Sequence, residues 1–389
     1  MNYDFDKIID RRGTDCIKFD FARERGKPEG LLPMWVADMD FAAPPEVLED
    51  LHAIIGHGIF GYTEPKENYF EAVASWFGAR FGYRPDPRGV VPAPGVVFGL
   101  AQAILAFTRP GDPVLIQTPV YPPFFEIVRA NGRRLLTNPL RRANGRYAMD
   151  FDHFERQLTR RGARLFLLCH PHNPVGRVWR PDELRTVRDL CQRHGVTVIS
   201  DEIHCDFAWP GHSHASYALL DENAVIATAP SKTFNLAGLQ IANFFVRSAE
   251  PRRRLQSAIA RSGYSQLNTL GLAACRSAYA KGGPWLDTLK PYLLENIGAA
   301  RDFLAERLPR VRMAEPEGTY LLWLDFSDYK LPQAELDRRV THGAGLWLSG
   351  GTSFGEDGEG FQRMNIACPR ATLEEGLRRL EREFGEVRG

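Results

Sequence analysis

The sequence predicts an α/β protein with a mostly parallel central sheet, followed by a smaller α+β domain. Two observations carry the first part. Short, almost wholly apolar runs at 112–117, 163–169, 196–200, 224–229 and 239–246 read as strands buried on both faces. They alternate with helical stretches, the arrangement of a sheet covered by helices on each side. A third observation marks the second domain. After about residue 285, helical stretches at 292–308 and 372–384 bracket the apolar runs "YLLWLDF" and "GLWLS". The expected division is an N-terminal segment, 1–47, packing with the small domain, then a large domain, 48–288, and the small domain, 289–389.

Taken in order, the elements justify themselves locally. "PPEVLEDLHAII" is helical. "PAPGVVFGLAQAILAF" predicts a helix with Val97, Leu100, Ala101, Ile104 and Leu105 on its apolar face. Gly95, Val96 and Val97 open that helix with free backbone N–H groups, a natural anion cradle or simply an ordinary helix start. The run 112–117 leads into "PVYPPFF", which presents Tyr121, either a ring-stacking group or a rim aromatic. The run 163–169 leads into "HPHNPVG" and Asn173. "RPDELRTVRDLCQRHG" carries full helix signals. Pro181 suits the first turn, Asp182 and Glu183 its positive end, and Gly195 the stop. The run 196–200 ends at Asp201, and 224–229 ends at "APSK" and Lys232.

Composition narrows the class. The chain has 389 residues, 44% hydrophobic and 25% charged, with a net charge of +1. Those are the proportions of an ordinary soluble globular protein with no forced nucleic-acid or membrane partner. The opening "MNYDFDKIIDRRGTD" has no apolar core segment, and no run approaches the ~18 apolar residues of a membrane span, so a cytoplasmic location is expected. Six scattered cysteines read as reduced thiols.

Of 49 basic residues only eight are lysine. Arginine cannot release its proton or form an imine, whereas a partly buried lysine can do both. Lys232 interrupts an apolar stretch, as a solvated loop charge or as a reactive amine. In open parallel sheets ligands bind beyond the carboxyl ends of the strands. Asp201, Lys232 and Asn173 all follow such ends, although a loop carboxylate and a turn asparagine are the plainer readings of the first and last. Together they form the set that pyridoxal phosphate requires: an amine for the imine, an acid for the pyridine nitrogen and an amide for the phenolic oxygen.

"PMWVADMDF", "FGYTEP", "PGVVFGL", "PVYPPF", "HPHNPVGRVW", "SDEIHCDF", "APSKTFNLAGLQ", "EGTYLLWLDF" and "FGEDGEGFQRMNIACPR" resemble fold-type-I, class I/II aminotransferase-like enzymes. The resemblance is strongest to the cystathionine β-lyase (C–S lyase) branch. It implies that Lys232 carries the cofactor and shuttles the proton, and that Asp201 pairs with the pyridinium. His204 is similar to a supporting residue of the same motif, Asn173 to the residue at the phenolic oxygen, and Tyr121 to the stacking aromatic. Gly95, Val96, Val97 and Ser231 match the phosphate surroundings. Arg363 looks like the fork that grips the substrate α-carboxylate, with Ala37 beside the substrate. Tyr62 looks like a tyrosine donated across a homodimer interface.

The implied reaction is β-elimination from cystathionine or another S-substituted cysteine, giving thiol, pyruvate and ammonia. Transamination, or decarboxylating and oxidatively deaminating chemistry on a cysteine conjugate in antibiotic or thiol metabolism, is the alternative. Gln240 stands where many aminotransferases carry a phosphate-binding arginine, which tilts the expectation toward lyase chemistry. His170 replaces an expected asparagine, and "IANFFV" is unusually aromatic. "GHGIFG" matches a dinucleotide-binding pattern but follows a helix, so it carries little weight. The His170/His172 and His212/His214 pairs fit no familiar zinc spacing, and no metal is expected.

Overall fold

Seven strands form the central sheet of the computed structural model, which describes residues 3–143 and 145–385. In chain order they are β1 (Val90–Ala93), β2 (Pro113–Thr118), β3 (Arg134–Pro139), β4 (Leu165–Cys169), β5 (Thr197–Asp201), β6 (Val225–Thr228) and β7 (Ala242–Phe245). Their spatial order is β1-β7-β6-β5-β4-β2-β3. All pairings are parallel except those of β7, which runs antiparallel to both β6 and β1. The expected α/β architecture is present, with one strand reversed.

Strand residues alternate between two cores. Leu165 and Leu167 face one side with Ile199, Val225 and Phe244, while Phe166 and Leu168 face the other with Val198, Ile226 and Phe245. Helices cover both sides, so neither face needs polar residues, and the strands read as unbroken apolar runs. The helix Pro181–Arg193 starts and stops as its signals predict, with Leu184, Val187 and Leu190 buried. Glu183 accepts a hydrogen bond from the Arg180 backbone N–H, and Gly195 takes the left-handed conformation (φ +64°) that releases the chain into β5.

The helix Val96–Phe107 differs from expectation in its buried face. Val96, Leu100, Ala103 and Ile104 are buried, whereas Val97 and Leu105 are each 37% exposed. The sequence is apolar almost all round, so period alone did not fix the rotation. Gly99 does: a Cβ there would lie 2.1 Å from the Phe244 ring, so this face presses directly on β7.

In the C-terminal part, Leu321–Asp325, Phe361–Asn365, Arg312–Met313 and Ser349–Gly350 form an antiparallel sheet in which Trp323 pairs with Arg363. "GLWLS" is not one strand. Leu346–Trp347 pairs in parallel with Leu32–Pro33, and Ser349–Gly350 turns to the other sheet. The N-terminal segment is thereby stitched to the C-terminal sheet. Helices Gly283–Arg307 and Arg370–Phe384 flank it; the first starts well before residue 292 and runs through Pro291. Residues 1–2 and 386–389, the outer ends of the two expected terminal segments, lie outside the described residues. Among the described residues no helix is long and apolar enough to cross a membrane. The six cysteines are free, and all but Cys16 are buried.

Gly99→Ala is expected to cost about 1–3 kcal/mol, because the added methyl overlaps an aromatic ring in a filled core. The urea midpoint measures it; an unchanged midpoint would contradict this packing.

Candidate active site

Because β7 alone is reversed, β1, β2, β4, β5 and β6 all point the same way, and their carboxyl ends share one edge. Asp201 ends β5, and Gly95, Tyr121, Asn173 and Lys232 follow the ends of the others. They meet in a cavity of ≈ 260 Å³. Ala37, Val96, Val97, His204 and Ser231 also line it, so every predicted site residue except Tyr62 and Arg363 does.

Lys232 sits on a one-turn helix, Pro230–Thr233, immediately after β6. Its Nζ donates to the Ala37 carbonyl at 2.7 Å. The side chain is half-buried on the cavity wall, and desolvation lowers the amine to about 8. Asp38 and Asp201 oppose that fall, while Arg363 adds to it. Asp201, the last residue of β5, is buried. Its Oδ1 accepts one hydrogen bond, from the Ile203 N–H at 3.1 Å. Burial raises its carboxyl to about 7 despite that bond and the Lys232 charge. Tyr121 and His204 are both held neutral, the phenol shifted up and the imidazole well down, chiefly by burial.

Arg363 lies behind Asn173. Its guanidinium donates to Asn173 Oδ1 at 3.0 Å, to the Trp35 carbonyl at 2.7 Å and to Ser349 Oγ at 3.4 Å. Every one of these acceptors is neutral, and the buried Nε has no partner among the described residues. Burial lowers this guanidinium to about 10. A buried arginine whose fork meets no carboxylate among the described residues has capacity left for an anionic ligand.

Residues 35–41 hold these groups together from above. Asn235 accepts from the Met39 N–H at 3.0 Å and donates to the Met39 and Phe41 carbonyls. Asn365 donates to the Val36 and Asp38 carbonyls, each at 2.6 Å. Lys18, 1% exposed, donates to both oxygens of Asp40, and Arg11 bridges Asp38 and Asp40. The Ala37 carbonyl is thereby fixed toward Lys232.

The donor set fits pyridoxal phosphate. Gly95, at φ +133°, caps the helix Val96–Phe107 without a side chain, leaving its first N–H groups open to a phosphate beside Ser231. A Cβ at Gly95 would close to 3.3 Å of Gln240 Oε1, which narrows the cradle. Asp201 would face the pyridine nitrogen, Asn173 the phenolic oxygen and Lys232 the aldehyde carbon.

Tyr62 stands apart from this cavity at 94% exposure, with Ile59 and Phe60 also exposed beside it. Trp35, Ser349 and Tyr320 were not singled out from the sequence. Trp35 and Ser349 support Arg363, and Tyr320 donates its hydroxyl to the Ala37 carbonyl at 3.2 Å. All three lie within or beside motif segments, but Trp35 and Tyr320 meet partners hundreds of positions away, and Ser349 meets Arg363 across paired strands. In "GHGIFG", Gly58 simply ends the helix Pro45–His57 in the left-handed conformation. His170 packs against His214 at 4.3 Å with the rings tilted by 31°, well inside the protein. Among the described residues no three His, Cys, Asp or Glu side chains group as metal ligands.

The raised Asp201 pKa has a sign that can be tested. Without bound ligand the folded chain holds this proton from about pH 4, the ordinary aspartate value, up to about 7. Stability therefore falls across that window as pH rises. Asp201→Asn is expected to be the more stable chain at pH 8, by a few kcal/mol at most, and no different at pH 4. Thermal midpoints of the cofactor-free chains measure this; equal midpoints at pH 8 would refute it.

Comparison with known proteins places this geometry. Residues 31–380 match the family model described as aminotransferase class I and II. The chain is 45% identical to cystathionine beta-lyase PatB of Bacillus subtilis over 97% of this chain and 98% of that one. It is 34% identical to protein MalY of Escherichia coli over 99% and 100% of the two chains. Among solved structures, cystalysin from Treponema denticola, which contains pyridoxal 5'-phosphate, superposes with a TM-score of 0.94 at 34% identity, covering 98% of each chain. A pyridoxal-phosphate-bound C–S lyase from Staphylococcus hominis superposes at 0.93 with 33% identity, covering 99% of each chain. The strand-edge cavity, the order of its residues and these full-length matches agree: this chain belongs to the class I and II aminotransferase family.

Proposed function

We propose that this protein is a pyridoxal-phosphate-dependent carbon–sulfur lyase that cleaves cystathionine or a related S-substituted L-cysteine to a thiol, pyruvate and ammonia. The observation that carries it is the Lys232 amine on the wall of one cavity with Asp201, and behind that cavity the buried Arg363 guanidinium whose hydrogen-bond acceptors are all neutral. The relatives named as cystathionine beta-lyases support the choice of reaction. Gln240 at the cradle, in place of an arginine, is consistent with it.

The bound cofactor supplies an electron sink for the pair left at the substrate's α-carbon. Arg363 grips the α-carboxylate, with Ser349 and the Trp35 carbonyl holding its fork in place. The neutral Lys232 amine, near pH 8, is available to take the α-proton and pass it to the departing sulfur. Asp201 stays ionised only if a cation faces it, which the protonated pyridine nitrogen would provide.

In this reading residues 48–288 carry the cofactor, 289–389 the substrate-gripping Arg363, and 1–47 close over both. A homodimer completes the site. Ile55, Ile59, Phe60 and Tyr62 form an exposed apolar run suited to a second copy, across which Tyr62 reaches its partner's cavity.

Product analysis on a panel of S-conjugated cysteines tests the reaction. Pyruvate and free thiol are expected without any keto-acid acceptor, together with borohydride-fixed pyridoxal on Lys232 by peptide mass. Lys232→Ala should lose at least about 10³-fold in kcat. Acceptor-dependent turnover or CO₂ release would replace the lyase assignment by transamination or decarboxylation. For the interface, Tyr62→Ala and Lys232→Ala chains, each inactive alone, should regain about a quarter of parental activity when mixed, since half the dimers are mixed and hold one intact site. No recovery would place Tyr62 outside the partner's site.

A further inference from the structure

We propose that the Tyr320 hydroxyl is a positioning group for the Lys232 amine, acting through the Ala37 carbonyl to which both donate. Lys232 Nζ approaches that oxygen at 2.7 Å and Tyr320 Oη at 3.2 Å. A carbonyl oxygen offers two lone pairs, and these donors fill both. Two donors on one oxygen weaken each other, because each withdraws electron density the other uses. The phenol therefore limits how strongly the carbonyl can hold the lysine as an ammonium.

Neither the carbonyl nor the phenol can move aside. Asn365 and Asn235 pin the residues on both sides of Ala37. Tyr320 is fully buried at the start of the strand Leu321–Asp325, its ring edge-on to Phe207 (4.9 Å, 87°) and packed against His204 (5.8 Å, 69°). Burial raises the phenol pKa, so the hydroxyl remains a donor at working pH. The charged groups facing Lys232 are Asp38 on the N-terminal segment, Asp201 at the end of β5 and Arg363 on the C-terminal sheet, with His204 held neutral beside them. The two carboxylates favour the ammonium. Tyr320 opposes them without adding charge, and so keeps a larger share of the amine in the neutral form that proton abstraction uses. That use rests on the lyase reading; the shared carbonyl does not.

The test reads the amine itself. In the full-length chain freed of cofactor, the pH dependence of Lys232 acetylation, followed by peptide mass, gives its pKa. Tyr320→Phe keeps the ring and removes the competing donor, so the pKa should rise by about half a unit or more. A 3-fluorotyrosine placed at position 320 keeps the shape and strengthens the donor, so the pKa should fall. In the cofactor-loaded enzyme the acidic limb of the kcat profile should move in the same directions, with KM within about twofold. An unshifted pKa in both chains overturns the proposal. Should the Phe variant not fold, the fluorotyrosine chain decides alone. Absence of pyruvate would reject the lyase reading and leave the labelling result standing, so the two failures are distinct.

Discussion

Lys232, Asp201 and Arg363 lie around one site, and among the described residues no full counter-charge lies in hydrogen-bond contact with any of them. An uncompensated amine, carboxylate and guanidinium are costly in a low-dielectric interior. Their persistence marks groups kept for chemistry rather than for stability. The rest of the structure serves to hold them. Parallel strands deliver Asp201 and the Lys232 turn to one edge. The C-terminal sheet delivers Arg363, and the N-terminal segment supplies the carbonyl that Lys232 meets.

Much of this was legible in local sequence. Pro181, Asp182, Glu183 and Gly195 announced a helix that the structure contains, because capping and φ preferences act within a few residues. The polar residues after apolar runs marked the working edge of the sheet, because strand direction alone places them there. The buried face of the helix Val96–Phe107 was not legible. An apolar residue stood at nearly every position, so only the approach of Gly99 to Phe244 set the rotation. Nor was the split of "GLWLS" between two sheets, since its partners at Leu32–Pro33 and Phe361–Asn365 are chosen by tertiary contact. Ala37 was named through resemblance. That its backbone, not its methyl group, meets Lys232 is a matter of three-dimensional placement.

The Arg11–Lys18–Asp38–Asp40 network shows what that placement demands. Lys18 is almost wholly buried and bonded to both oxygens of Asp40, an arrangement that fixes geometry more surely than it adds stability. It stiffens a segment with little secondary structure of its own and turns the Ala37 carbonyl into a fixed reference point. Asn235 and Asn365 read the same segment from the two other parts of the protein.

Those bonds also join residues 35–38 to residues 363–365. Val36 and Asp38 are held by Asn365, and Trp35 by Arg363, on a strand that closes at residue 365. A polypeptide leaving the ribosome can form the large sheet and carry its lysine long before that strand emerges. Until it does, the residues on either side of Ala37 lack their bonds to Asn365, and the guanidinium is missing. The reactive arrangement therefore requires three separate stretches of the chain, 35–38, 232 and 363–365, to have come together.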